Sequence, residues 1–213
     1  MRKRCKCLIV DDHPILRKGI RELLLQERAC ATIVEVDNAA SALLEVRREP
    51  WDLLILDVAL PDKHGLEVLK EVKLLRPTMP VLMLSLYPER EFALRAFKAG
   101  ASGYLTKDRA PSELLTAVKE IVAGRRYITS SLADQMATFL GTGQPVAPHD
   151  RLSDREMEVL RLLGQGKTVS TIADDIALSV KTISTYRARL LEKLQLRTTA
   201  DLVRYAVEHH LTT

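Results

Sequence analysis

Aromatic residues are scarce in this sequence: Phe, Trp and Tyr make up 4% of 213 residues, with a single Trp. Any core must therefore be built from Leu, Val, Ile and Ala, which supply most of a 46% hydrophobic fraction. Cysteine is nearly absent too. Cys5, Cys7 and Cys30 are odd in number and lack the spacing of a disulfide framework, which argues against a small secreted scaffold. Cys5 and Cys7 stand in a strand-like run, and a C-x-C metal site would need further ligands that are not nearby. No stretch approaches the roughly 20 apolar residues of a membrane-spanning helix. The opening MRKRCKCLIV imitates a signal peptide, but Asp11 and Asp12 end its apolar run too early. A cytoplasmic location without a membrane partner is the expectation. Neither sign of charge dominates: 32 Lys+Arg face 28 Asp+Glu. The small surplus is shared about equally between the parts before and after residue 150, so neither part is a charged tail. No G-x-x-x-x-G-K-[ST] loop occurs, which argues against nucleotide hydrolysis.

Alternation organises the first part. Short apolar runs read as buried strands at 5–11, 31–37, 52–57, 80–85 and 103–106. Longer pieces with helical spacing lie between them: Ile15, Ile20, Leu23 and Leu24; Ala42, Leu43 and Val46; Leu66, Leu69, Val72 and Leu75; Phe92, Leu94, Ala96 and Phe97; Leu114, Leu115, Val118 and Ile121. Five strands alternating with five helices predict an α/β fold, a five-stranded doubly wound parallel sheet covered on both faces. A further helix is predicted at 130–140, followed by GTGQPVAPHD, whose glycines and prolines read as a linker. From Ser153 onward the pattern is all helical. Ser153 and Glu156 have capping-box spacing, and helices are expected to about Gly164, over 169–177, from after Ser179 to 194, and over 200–210.

In a doubly wound sheet, ligands sit beyond the carboxyl ends of the strands. That rule gathers Asp11 and Asp12 after the first strand, Asp57 after the third, Ser85 after the fourth and Lys107 after the fifth. Three carboxylates at one edge repel one another and call for a cation. All-oxygen ligation favours a hard ion such as Mg2+. A carboxylate nucleophile beside such a metal, with a hydroxyl and an ammonium to grip phosphate, makes a phosphoryl-transfer site. Taken singly, each residue has a structural alternative. Asp12 before His13-Pro14 could cap a helix, Asp57 could serve a turn, and Lys107 could be a surface lysine. Their joint placement favours the site.

The segments LIVDDHP, LLILDVALPDKHGLE, VLMLS and GYLTK resemble, in order and spacing, the receiver domains of bacterial two-component systems. The resemblance covers roughly residues 5–123. It implies that Asp57 accepts a phosphoryl group from a sensor histidine kinase, and that Asp11, Asp12, Asp57 and the backbone carbonyl of Ala59 hold Mg2+. It further implies that Ser85 and Lys107 grip the phosphate and that Tyr104 is a switch residue turning inward. Pro61 and Gly65 match the loop after the acceptor. Ser85 stands where threonine is frequent and keeps the hydroxyl. A haloacid-dehalogenase-like phosphatase would want an acid two residues after its nucleophile; that position here is Ala59, and no turnover enzyme is expected.

In the last part, the helix pair around the turn Leu178-Ser179 suits a helix-turn-helix, with Ile172, Ala173, Ile176, Val180, Ile183 and Leu190 as core. Residues 181–197 carry Lys181, Arg187, Arg189, Lys193 and Arg197 against Glu192 alone. A solvated helix face is the alternative reading of that run. The string LSDREMEVLRLL…IADDIALSVKTISTYRARLLEKLQLRTTADLV resembles the LuxR-like DNA-binding domains that end NarL/FixJ-type regulators. That resemblance implies that Ser184, Thr185 and Ala188 face bases of double-stranded DNA. It makes Lys181, Tyr186, Arg187, Arg189 and Lys193 candidates for phosphate or flanking contacts. The expected organisation is a receiver over 1–123, a linker over 124–150 and a small all-α reader over 151–213. The expected function is a transcription factor controlled by phosphorylation of Asp57 and paired as a homodimer when phosphorylated. A phosphorylation-independent factor and a protein-docking adaptor are the rivals.

Overall fold

The computed structural model describes residues 5–134 and 147–212. The chain divides into two compact units, Met1–Gly141 and Thr142–Thr213.

The first unit alternates β1 (Lys6–Val10), α1 (Pro14–Gln26), β2 (Thr32–Val36), α2 (Ala39–Arg48), β3 (Leu53–Asp57), α3 (Gly65–Leu75), β4 (Val81–Ser85), α4 (Glu89–Lys98), β5 (Gly103–Thr106) and α5 (Ala110–Val122). Its strands form one parallel sheet in the order β2-β1-β3-β4-β5. β3 and β4 bury every residue, so their sequences are apolar without alternation, as central strands covered on both faces must be. Cys7, Ile9, Leu53, Ile55, Leu82, Leu84 and Leu105 point to the side where Ile20 and Leu24 of α1 and Leu114, Val118 and Ile121 of α5 pack. The alternate residues Leu8, Val10, Leu54, Leu56 and Met83 are buried on the other side, where α2, α3 and α4 lie side by side. The order reverses between β1 and β3, which fixes where the functional edge lies.

Two of the expected helical faces overshoot. Ile15, expected with Ile20, Leu23 and Leu24, is 90% exposed, because it stands about half a turn round the helix from the buried Leu24, while its neighbour Leu16 packs on the core. Leu75, the last residue of α3, is half exposed. The segment after α5, assigned to the linker from sequence, packs on the first unit. The Tyr127 amide donates to Ser102 O at 2.9 Å, and Thr129 Oγ1 donates to Glu89 Oε2 at 2.6 Å. The helix expected at 130–140 enters the described residues at 130–134, which are helical; its remainder, and most of the 141–150 spacer, lie outside the described residues.

Among its described residues the second unit holds a short 3-10 turn (Pro148–Arg151) and four helices: α6 (Asp154–Gly164), α7 (Val169–Asp175), α8 (Val180–Leu194) and α9 (Thr199–Glu208). Each starts on a hydroxyl cap. Ser153–Glu156 and Thr198–Asp201 form reciprocal capping boxes, while Thr168 and Ser179 accept from the amides three residues on. Ile172, Ala173, Ile183, Leu190 and Leu202 close the core. Val180, expected there, is 49% exposed: as the first residue of α8 it precedes the buried stripe.

Candidate functional site

The carboxyl ends of β1 and β3 lie side by side at the switch point of the sheet, and their register sets Val10 against Leu56. Asp11 and Asp57 follow from this register, and both are fully buried. Lys107, one residue past β5, reaches back between them. Its Nζ lies 2.7 Å from Asp57 Oδ2 and 2.8 Å from Asp11 Oδ2. Asp12 sits beside them, partly exposed. His13, which sequence reasoning passed over, joins the group. Its Nδ1 lies 2.6 Å from Asp12 Oδ1 and 3.2 Å from Asp11 Oδ1, and its amide donates to Asp11 Oδ1 at 2.8 Å. The signal was available, since His13 directly follows the acidic pair.

Electrostatics make this edge unusual. Burial pushes the Asp57 carboxyl up to about 7, against the pull of Lys107, and the nearby Asp11 charge adds to the rise. Burial works against the Lys107 charge, but Asp57 and Asp11 outweigh it and hold the ammonium above its ordinary range. With all three carboxylates ionised and Lys107 charged, the cluster carries two uncompensated negative charges. Ligand atoms of Asp11, Asp12, His13 and Asp57 lie within 4.8 Å of one another, so the cluster could hold a divalent metal ion. The donor chemistry fits that role: the carboxylates are hard oxygen donors with lone pairs to spare.

The surrounding loops fix Asp57. The Ala59 amide donates to Asp57 Oδ1 at 3.1 Å, which stations the Ala59 backbone beside the carboxylate. Gly65 opens α3 against the backbone of Asp57; a Cβ there would fall 2.1 Å from Asp57 O. His64 caps α3 by accepting from the Leu66 amide. Asp62, a second residue missed from sequence, accepts from the amides of Ala39 and Ala40 at 2.8 and 2.9 Å and ties the loop after β3 to α2. Although partial burial opposes it, these amides hold its carboxyl below the usual range.

Ser85 is fully buried at the end of β4, and its Oγ accepts from the Tyr87 amide at 2.9 Å. The sequence reading has Tyr104 turning inward on phosphorylation. In this structure the ring is already inside, 1% exposed, with its hydroxyl donating to Tyr87 O at 2.9 Å. Tyr87 thus donates its amide to Ser85 and accepts from Tyr104 on its carbonyl, which joins the hydroxyl expected to grip phosphate to the expected switch residue through one residue.

In the second unit, α7 and α8 are joined by a tight turn. Ala177 has φ +51, and the Leu178 amide returns to Ala173 O at 2.9 Å. Helical geometry sets Lys181, Ser184, Thr185, Ala188 and Glu192 on one face of α8, away from the buried Ile183, Leu190 and Leu194. Lys181, Thr185, Ala188 and Arg189 are exposed, Ser184 and Tyr186 partly so. Two of the candidates are turned elsewhere. Arg187 Nη1 donates to Thr199 Oγ1 at 3.1 Å, and Lys193 Nζ pairs with Glu156 Oε2 of the α6 capping box at 2.7 Å.

Residues 7–119 match the response regulator receiver domain family, and residues 150–206 match the bacterial regulatory proteins of the luxR family. A Pseudomonas aeruginosa protein described in general terms as a transcriptional regulator is 41% identical, covering 97% of this chain and 99% of that protein. Response regulator UvrY of Escherichia coli K12 is 31% identical over 96% of this chain and 94% of its own. Among solved structures, RcsB from Salmonella enterica serovar Typhimurium, bound to promoter P1flhDC in the presence of phosphomimetic BeF3-, is 26% identical. It superposes with a TM-score of 0.58 over 95% of this chain and 98% of that one.

Proposed function

The chain belongs to the response regulators that join a receiver domain to a LuxR-type DNA-binding domain, and on that premise we propose that Asp57 is its phosphoacceptor and α8 its DNA reader. The observation that carries the proposal is the bridge of Lys107 between Asp57 and Asp11 at the sheet's switch point.

The Asp57 carboxylate attacks phosphorus in a phosphohistidine of a sensor kinase or in a small acyl phosphate. A P–O bond forms as the bond to the donor breaks. Asp57 must be ionised to attack, and with its carboxyl at about 7 a cation is needed to complete that ionisation at neutral pH. Mg2+, held by Asp11, Asp12, Asp57 and the Ala59 carbonyl, would neutralise charge on the phosphoryl oxygens when bound. Lys107 would transfer from the carboxylate to a phosphoryl oxygen, and the Ser85 hydroxyl would donate to another. The phosphoryl group adds about −1.5 to −2 charge. Because Tyr87 already links Ser85 to Tyr104, recruiting Ser85 would lock that inward set rather than build it. The protein acts on itself in this scheme and turns nothing over.

The reader would enter the major groove of double-stranded DNA with Ser184, Thr185 and Ala188 foremost, and with Lys181 and Arg189 toward phosphates. Tyr186, Arg187 and Lys193 flank them, the last two only after leaving their present partners. So short a polar set offers no bidentate guanine contact, and specificity would lean on DNA shape and on dimer spacing. Pairing of two readers through α9 would match a two-fold-related site. A cytoplasmic homodimer, phosphorylated by a histidine kinase, is the working assembly of this reading. The test is Asp57→Asn: phosphodonor should tighten DNA binding by the native protein and leave the variant unchanged. An equal gain in the variant would place the acceptor elsewhere.

A further inference from the structure

At the edge of the sheet remote from the phosphoacceptor, the sequence's few cysteines come together. Cys5 enters β1 and Cys30 ends the turn after α1, and the two Sγ atoms lie 2.9 Å apart, inside the contact distance of two sulfurs. Both are reduced thiols, 6% and 3% exposed. Backbone pairing holds them in place. The amides of Ala31 and Thr32 both donate to Cys5 O, and the register of Lys6 against Thr32 sets Ala31 opposite Cys5, with Cys30 one residue before it. One strand spacing and one residue of rise give a diagonal of roughly 6 Å, within the Cα separation a disulfide spans. The sulfurs therefore need only close on each other, with no change of pairing. Cys7, two residues along β1, lies on the same face of the sheet.

The pair is reachable. A cleft of about 1090 Å³ is lined by Cys5 and Cys30 together with Arg28, Lys119 and Arg125. A second, of about 530 Å³, is lined by Cys5 with Trp51 and Met79. Cys5 thus borders both openings and Cys30 only one. Contact with Cys5 draws the Cys30 thiol down, but Cys7 and burial outweigh it and push Cys30 up to about 12. Bordering both clefts makes Cys5 the sulfur an oxidant reaches first, with Cys30 the partner that resolves it.

We propose that Cys5 and Cys30 form a peroxide-sensitive dithiol that closes to an intramolecular disulfide. Cys5 sulfur attacks a hydroperoxide oxygen: an S–O bond forms, the O–O bond breaks, and one water (from hydrogen peroxide) leaves. Cys30 sulfur then attacks Cys5: the S–S bond forms, the S–O bond of the sulfenic acid breaks, and its hydroxyl leaves with the Cys30 thiol proton as a second water. Two thiols are oxidised by two electrons, and one peroxide is reduced. In a reducing cytoplasm the bond would be transient and reversed by dithiols. The loop it closes runs from Cys5 to Cys30 and contains Asp11, Asp12 and all of α1, so oxidation would stiffen the segment that supplies two of the site's carboxylates.

The experiment treats the full-length reduced protein with hydrogen peroxide, blocks remaining thiols under denaturing conditions and maps the peptides by mass. The expected product is a monomer lighter by two hydrogens, with Cys5 joined to Cys30, Cys7 blocked, and full reversal by dithiothreitol. Cys7→Ser should give the same product. Cys30→Ser should stop at a Cys5 sulfenic acid trapped by dimedone, which keeps the test independent of how stably any one variant folds. Three blocked thiols after exposure, a bond through Cys7, or a cross-link between chains would each overturn the assignment.

Discussion

Proton competition at the acidic edge gives a worked expectation for metal binding. Asp57 must be ionised to hold a divalent cation, and burial sets its carboxyl at about 7 in the metal-free protein. About nine-tenths of the protein has Asp57 ionised at pH 8 and about one-tenth at pH 6, so apparent Mg2+ affinity should fall about tenfold between them. That is about 1.4 kcal/mol. Calorimetric titration of the full-length protein at both pH values reads this directly, with about one proton released per ion bound at pH 6. Asp57→Asn should bind more weakly and lose the tenfold difference. His13→Gln removes the imidazole from the site and should keep it. Affinity unchanged from pH 6 to 8, or a tenfold difference surviving in Asp57→Asn, would refute the argument that buried Asp57 controls the site.

The same shift predicts stability. A carboxyl raised from 3.8 to about 7 favours the fold fully below its unfolded value, and that contribution is lost as pH rises through the folded one. Asp57→Asn should therefore melt higher than the native metal-free protein at pH 8, by at most about 4 kcal/mol, and equally near pH 4. Thermal melts at the two pH values check it, and a variant less stable at pH 8 would contradict it. Gly65→Ala forces a Cβ onto Asp57 O and should cost about 1–3 kcal/mol and slow acceptor phosphorylation, read by melts and by phosphoprotein electrophoresis. Lys181→Ala should lower the salt slope of DNA binding by about 0.9. Lys193→Ala, whose native side chain sits on Glu156, should lower it less; equal losses would show that the Lys193 pair opens on DNA. Replacing the α8 cap, Ser179→Ala, should cost about 1 kcal/mol of the second unit's stability in denaturant unfolding.

Much of this molecule was legible in its sequence because burial and connectivity leave plain marks. β3 and β4 are buried on both faces and read as unbroken apolar runs, and the parallel arrangement follows from their alternation with helices. The rule for strand ends alone brings Asp11, Asp57, Ser85 and Lys107 to one edge. What sequence hid depends on where an element stops or on distant partners. Ile15 lies about half a turn round α1 from Leu24 and Val180 opens α8 ahead of its buried stripe, and both are exposed. Lys193 counts as basic surface until its partner, 37 residues away, is seen. The inward position of Tyr104 depends on a carbonyl of the loop after β4, and the nearness of Cys5 to Cys30 on strand register; local spacing carries neither.

The central claim is that chemistry at Asp57 governs what α8 binds. The most direct measurement is the affinity of the purified full-length protein for genomic DNA fragments, with and without a small phosphodonor, at constant Mg2+ and salt. The account predicts tighter, sequence-selective binding with the phosphodonor, abolished in Asp57→Asn. Selective binding indifferent to the phosphodonor would contradict it.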